Sequence, residues 1–336
     1  MKHIRILPLL IVASLTACTK ETKEFFTRNF YCFDTFVTIK IKQKYEENAE
    51  NALDRLQEEC ENLDAVFDAY KEREYTNVYT LNKTNDKIEI SKDLYNAFAV
   101  AETNKQIARY FNPLVGSLSN KWKEALEQNK ILSDEVIQQE LEKINNSSLT
   151  LSEGNGHYFV QRNGDALVDV GAIAKGYAID RMQSWLPAFA PSNDYIADAG
   201  TSSIVLGTNS VKKDNVEEGK YVIKIKDLSK DTYLHLSNCY VSTSGISEQK
   251  TVINNETYSH IINPETGSAK SLYDSVIVIS DLKNQFNGTI GDMLSTSLMV
   301  STLDEIKLAE MGAKVKVVVI KDDNVLYKSE GLELFS

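Results

Sequence analysis

The chain has 336 residues, 42% of them hydrophobic, and carries 37 Lys and Arg against 48 Asp and Glu, a net charge of −11. That is enough apolar material for one large domain or two modest ones, since domains run to about 50–250 residues. The acid excess, with no basic cluster to reverse it, repels phosphate backbones and argues against nucleic acid as a partner.

Lys2 and Arg5 form a positive start, residues 6–12 a short apolar core broken only by Pro8, and Leu15-Thr-Ala-Cys18 a small-residue end before a cysteine. The core falls well short of the ~20 residues that span a bilayer, so residues 1–17 read as a secretion signal. The Leu-Thr-Ala-Cys pattern resembles a bacterial lipobox, in which Cys18 becomes the lipidated first residue of the mature chain, with an ordinary cleaved signal as the alternative. Loss of 1–17 removes Lys2 and Arg5 and no acid, which takes the charge to −13. Residues 18–28 then serve as lipidated cysteine and polar tether, and 29–336 as a single folded unit, because the 5 prolines and 15 glycines are scattered without a linker or repeat. Cys32, Cys60 and Cys239 lack metal-ligand spacing. Buried free thiols suit them better than disulfides, which their odd number and wide gaps do not frame.

Residues 30–42 are rich in aromatic and β-branched types and alternate toward their end, which predicts a half-buried strand. From 46 to 69 the set Leu53, Leu56, Cys60, Leu63, Val66 and Phe67 recurs at three- and four-residue steps, one face of a helix. Ser91 is placed to cap a second helix to 108, and Ser133 a third to 144. Beyond these the pattern predicts strands at 157–161, 166–169, 195–199, 203–206, 221–226, 232–236, 240–243, 251–253, 258–262, 274–280, 315–320 and 324–328, with helices at 173–187 and 289–300. Strands with helices interspersed irregularly indicate an α+β fold rather than a doubly wound sheet. No Gly-x-Gly-x-x-Gly follows a strand, so a Rossmann dinucleotide site has no support.

Three stretches carry chemistry. In Asp169-Val-Gly-Ala-Ile-Ala-Lys-Gly-Tyr-Ala-Ile-Asp180, Gly171 permits a tight turn and a helix starts near Ile173. Amides at such a start attract anions, Lys175 and Gly176 let a phosphate approach beside a charge, and Asp180 could meet a sugar or base edge. The same turn also serves as plain punctuation, with Lys175 solvated and Asp180 paired to Arg181 or another cation. His260, in the predicted strand 258–262 before Asn263-Pro-Glu-Thr-Gly267, can accept a hydroxyl proton at neutral pH, its ordinary pKa being near ~6.5; a satisfied structural histidine is the ordinary alternative. His157 and His235 look like that ordinary case. In Gly291-Asp-Met-Leu-Ser-Thr296, Asp292 and Thr296 stand one helical turn apart, a carboxylate and hydroxyl suited to magnesium or, alone, to capping.

Together with Ser242-Thr-Ser-Gly245 and His260-Ile-Ile-Asn-Pro-Glu-Thr-Gly267, and more weakly Phe33-Asp-Thr35, Phe67-Asp-Ala-Tyr70, Leu81-Asn82 and Phe111-Asn-Pro-Leu-Val-Gly116, these motifs resemble the ApbE-like FAD:protein FMN transferases over nearly the whole mature chain. The resemblance implies a two-lobed α+β fold related to the T-fold, with FAD in a cleft between the lobes. It implies magnesium held by Asp292, Thr296 and the main-chain oxygen of Ala172. Lys175, Gly176, Asp180, Thr243 and Gly245 match positions along the FAD cleft, Tyr70 a position that meets the flavin ring, and His260 the catalytic base. The reaction implied moves FMN from FAD to a threonine, or sometimes serine, hydroxyl, with AMP leaving. The implied partners are flavin-bearing subunits of exported redox complexes of the sodium-pumping quinone reductase or Rnf type. With the lipidated Cys18 the enzyme is expected on the periplasmic face of the inner membrane. The family often has Met-Gly-Thr in place of Phe33-Asp-Thr35, an aspartate in place of Asn112, paired glycines in place of Gly200-Thr201 and an aspartate in place of Asn263. A magnesium-dependent FAD pyrophosphatase and a non-catalytic flavin-binding lipoprotein use the same pocket and stand as alternatives.

Overall fold

The β-rich run at 30–42 is not one strand. In the computed structural model, which describes residues 25–336 apart from 213 and 248, it is a hairpin of β1 (Phe26–Cys32) and β2 (Thr35–Ile41) paired from Phe26↔Ile41 to Cys32↔Thr35. Phe33 and Asp34 turn it with both φ angles positive, +53° and +55°, the geometry a two-residue hairpin needs. The first strand thus begins inside the stretch read as tether; residues 1–17 and Cys18 lie outside the described residues.

The chain continues through α1 (Glu46–Phe67), α2 (Val78–Lys83), β3 (Lys87–Ile90), α3 (Lys92–Asn104), α4 (Gly116–Glu127), α5 (Asp134–Asn145), β4 (Ser148–Gly154) and β5 (His157–Asn163). There follow α6 (Gly171–Phe189), β6 (Tyr195–Ala199), β7 (Ser203–Leu206), β8 (Tyr221–Lys224), β9 (Tyr233–Leu236), β10 (Cys239–Gly245), β11 (Thr251–Ile253) and β12 (Glu256–Tyr258). Finally come β13 (Ser275–Asp281), α7 (Asn287–Leu298), α8 (Leu303–Ala313), β14 (Lys316–Lys321) and β15 (Asn324–Lys328). The predicted caps are in place, Ser91 accepting from the Leu94 amide and Ser133 from that of Val136. Two predicted strands are not: residues 166–169 belong to no strand, and the chain leaves β12 at Tyr258, so His260 sits in a bend.

One eight-stranded antiparallel sheet, ordered β1-β2-β6-β7-β10-β13-β14-β15, frames the molecule. Its strands alternate, as period-2 side chains must. Val37, Ile39, Val205, Val278 and Val319 face the helical layer that includes α1, α6 and α7, while Ile204, Leu206, Val241, Ile277 and Ile320 face Ile225 and Leu234 from the β8–β9 arm. Buried on both sides, the central strands read as continuous apolar runs. Register fixes the ends: Phe26, Ile41 and Tyr195 align at one, the Phe33–Asp34 and Gly200–Thr201 turns at the other. The smaller sheet β3-β5-β4 packs against α3.

Between that small sheet and α6 the chain is held by two polar devices. Asn82 grips Val168 at both its backbone groups, Nδ2 donating to the carbonyl at 2.9 Å and Oδ1 accepting from the amide at 2.7 Å. Arg162, 6% exposed, donates to the carbonyls of Leu81, Thr84, Gly164 and Ala166. Burial pushes its pKa down. Arg162→Met is expected to cost about 2–4 kcal/mol, since each buried carbonyl left unpaired costs about 1–3 kcal/mol and the second lone pairs recover part of it. Urea unfolding checks this, and a loss below about 1 kcal/mol would show that water replaces the guanidinium.

The three described cysteines are free and buried. Burial pushes the Cys32 and Cys239 thiols up to about 12 and Cys60 well above its ordinary range, so all three behave as inert packing groups.

Candidate functional site

At the end of the sheet that carries the two turns, a cavity of about 1030 Å³ opens between the start of α6, α4, the bend at 259–262 and the β8–β9 arm. Tyr70, Ala172, Lys175, Thr243, Gly245, His260, Asp292 and Thr296 all line it. Eight of the candidate residues, from five separate stretches of sequence, therefore meet at one place.

Its floor is set by close helix packing. Gly176 and Gly288 put α6 and α7 in backbone contact: a Cβ on Gly176 would stand 2.4 Å from the Gly288 carbonyl oxygen and 2.9 Å from Asp292 Cγ. Gly176 is thus outside the cavity lining, where a flavin contact was expected, because it serves the helix crossing. Asp180 is also elsewhere. Its carboxylate accepts from the Gly288 and Thr289 amides at 2.8 and 2.7 Å and from Thr289 Oγ1 at 2.6 Å, capping α7 from the side. Burial pushes this carboxyl up to about 7, against the hydrogen bonds from Thr289, Gly288 and Tyr240. Arg181, the other partner considered for it, pairs instead with Glu59 and Asp93. Asp180→Ala is expected to destabilise the fold by about 2–4 kcal/mol, because two buried amides lose their acceptor at once. A calorimetric melt indistinguishable from the parent would refute the capping role.

Asp292 is 7% exposed and lies over two serines that sequence reasoning left without a role. Ser203 and Ser242 are register partners on β7 and β10, both on the helical face. Ser203 Oγ donates to both Asp292 oxygens at 3.0 and 2.8 Å. Burial raises the Asp292 pKa, while Lys175, Ser242, Ser203 and the Gly176 amide favour the charged form. Gly291 makes the approach possible, since a Cβ there would meet Ser242 Oγ at 2.6 Å. One turn on, Thr296 Oγ1 lies 3.1 Å from Ser244 Oγ, which also contacts Ser295 Oγ at 2.8 Å.

The start of α6 departs from a bare anion cradle. Asp169 Oδ1 accepts from the Gly171 amide at 2.8 Å, and the Val170 carbonyl takes the Ile173 and Ala174 amides. A carboxylate on the first turn competes with a phosphate, so attraction for an anion falls to Lys175. The Asp292 carboxylate and the Thr296 hydroxyl are groups that suit a hard divalent cation, and Ala172 lines the same cavity. Among the described residues no group of three or more His, Cys, Asp or Glu could hold a metal. A cation here would rest on Asp292 with neutral oxygens, waters and a substrate phosphate, the manner of magnesium rather than zinc.

His260 is exposed on the cavity wall. Its bend is braced from below: Ser259 is fully buried, with its Oγ accepting from the Ile261 amide at 3.1 Å and lying 2.9 Å from Ser271 Oγ. Ile261 and Ile262 are buried as well. His157 instead pairs with Glu89 at 2.7 Å and His235 stacks on Phe335 at 3.9 Å, both away from the cavity. Tyr70 presents an exposed ring at the mouth, with Lys123 Nζ 6.0 Å from its centroid, and partial desolvation by the surrounding protein, then the charge of Asp169, raise its pKa. On the opposite lip Thr201, in left-handed backbone at φ +63°, accepts from Lys226 Nζ at 2.7 Å and donates its amide to Asp198. Thr201 and Asp34 occupy two of the positions where glycine is frequent in the family the sequence resembles, and both adopt the backbone that glycine adopts most easily.

The sequence model of the ApbE family matches residues 33–319. A Chlamydia muridarum protein named FAD:protein FMN transferase is 22% identical over 290 residues, 85% of this chain and 86% of its own length. The crystal structure of the ApbE protein of Thermotoga maritima is similar with a TM-score of 0.75 at 23% identity, covering 91% of this chain and 97% of its own. The flavin transferase ApbE of Vibrio cholerae gives 0.70 at 21%, with the same coverage.

Proposed function

The chain belongs to the ApbE family, and from that premise we propose that it is an FAD:protein FMN transferase that moves FMN to a threonine or serine hydroxyl of an exported redox-complex subunit. The observation that carries this reading is the meeting in one cavity of Asp292, Thr296, Ala172 and Lys175 with an exposed histidine, His260.

The acceptor hydroxyl oxygen bonds to the FMN phosphorus, the bond from that phosphorus to the AMP oxygen breaks, and AMP leaves. His260 takes the hydroxyl proton. Lys175 faces the pyrophosphate and offsets its charge. Asp292, fixed by Ser203 and Ser242, together with Thr296 and the Ala172 carbonyl would hold magnesium; when bound, it supplies charge neutralisation on the pyrophosphate during the displacement. Tyr70 at the mouth gives the flavin ring an aromatic surface. The wide lining from Tyr70 to the β8–β9 arm gives room for a dinucleotide, which needs the upper end of the usual range of about 300–1,000 Å³. Lipidation at Cys18 would hold the enzyme at the periplasmic face of the inner membrane, beside acceptors of the sodium-pumping quinone reductase or Rnf type.

The test is incubation with FAD, magnesium and a candidate acceptor subunit, followed by intact mass of the acceptor. An FMN-sized gain that a chelator abolishes is the expected result. AMP released without that gain would favour FAD hydrolysis, and bound FAD with neither product would leave only a flavin-binding lipoprotein.

A further inference from the structure

The end of the sheet opposite the cavity carries an aromatic surface where the chain enters the fold. Phe26 opens β1 opposite Ile41, which itself pairs with Tyr195. The chain leaves β2 through Lys42 and Gln43, and Gln43 Nε2 donates to the Phe189 carbonyl at 2.8 Å, which brings the end of α6 alongside. There Trp185, 42% exposed, stacks on Phe189 with centroids 6.0 Å apart. Tyr45, 57% exposed, lies under Lys44 with Nζ 5.2 Å from its ring. Lys42 reaches Ser210 Oγ at 2.7 Å. Nothing in the transfer chemistry uses these residues.

We propose that this end, with Trp185, Tyr45, Phe189 and the Lys42 and Lys44 ammonium groups, rests in the headgroup layer of the membrane that the lipid on Cys18 enters. The proposal rests on the lipid-anchor reading. Only seven residues, 19–25, separate Cys18 from Phe26, and the eight steps along the chain between them, at about 3.3–3.6 Å each, reach at most ~29 Å. The end of the molecule bearing Phe26 must then lie close to the bilayer. Its side chains are of the types that settle at a membrane interface: Trp and Tyr rings at headgroup depth, and lysines that extend toward lipid phosphates. Glu46 and Glu47 open α1 beside Tyr45, so the surface is not a uniform basic patch. Contact therefore comes chiefly from the rings, with the single lipid as the second element that interfacial binding needs.

The chain contains two tryptophans, Trp122 and Trp185. Trp122 is buried and donates to the Gly267 carbonyl, so contact quenching reads Trp185. The lipidated full chain is reconstituted into vesicles of phosphatidylethanolamine and phosphatidylglycerol with brominated acyl chains, and its emission is compared with that in unbrominated vesicles. The expected result is co-flotation with a loss of emission that Trp185→Phe abolishes. Co-flotation without quenching would overturn the contact surface and leave the anchor standing. Absence of co-flotation would overturn both, and quenching that persists in Trp185→Phe would assign the signal to Trp122 and overturn the surface.

Discussion

Replacing His260 by alanine is expected to slow flavin transfer by about 10²–10⁴-fold, the usual worth of a positioned general base, with FAD affinity changed by no more than a few-fold. The exposed ring stands on a bend braced by its neighbours: Ser259 is tied to Ser271 and the Ile261 amide, and Ile261 and Ile262 are buried beneath. Loss of the imidazole should therefore leave fold and cavity in place. Flavin fluorescence titration reports FAD binding and intact mass of the acceptor reports transfer. Unchanged turnover would remove the base role, and loss of FAD binding in parallel would mean that the ring holds substrate rather than a proton.

Asp292→Ala is expected to remove both activity and its response to magnesium. Charge neutralisation by a bound metal contributes several kcal/mol, on the order of 10²–10³-fold or more in rate. The carboxylate is the only charged oxygen among the three proposed ligands, so Thr296 and the Ala172 carbonyl alone should bind the ion far more weakly. The substitution leaves Ser203, Ser242 and the Gly176 amide without their carboxylate acceptor; the hydroxyls can turn toward other partners, and a thermal melt of the variant separates any loss of fold from loss of the metal. A magnesium titration at fixed FAD gives the readout. A variant with full magnesium-dependent transfer would show that the cation sits elsewhere.

The parts of this architecture that the sequence made legible are those written in local chemistry. Ser91 and Ser133 are capping residues in both sequence and structure, and the apolar spacing over 46–69 marks α1 because a 3.6-residue period has a single buried face. The hairpin at Phe33–Asp34 was hidden, since neither residue is the glycine or asparagine that usually announces positive φ. Helix α4 starts at Gly116, and Val115 before it offers no side-chain cap. Helix α8 was missed although local chemistry signals it, since Thr302 and Glu305 form a capping box. At the site, the motifs supplied Asp292, Thr296, Lys175 and His260, whereas Ser203 and Ser242 acquire meaning only when β7 and β10 pair, a contact across about forty residues of chain. The capping role of Asp180 was hidden for the same reason: its partner is a helix end 108 residues further along.

Helix α6 begins at the cavity with Gly171 and ends at the aromatic surface with Phe189, so its 19 residues act as a strut of about 28 Å. On the proposed seating at the lipid, this strut would set the height at which flavin transfer takes place. A target hydroxyl flush with the bilayer would lie below that height, and one on a long, freely swinging domain would pass it only rarely. The acceptors best served would then be those that present the target side chain at a fixed elevation of roughly this length, which would make selection among neighbouring proteins partly a matter of altitude, set by the number of turns in one helix.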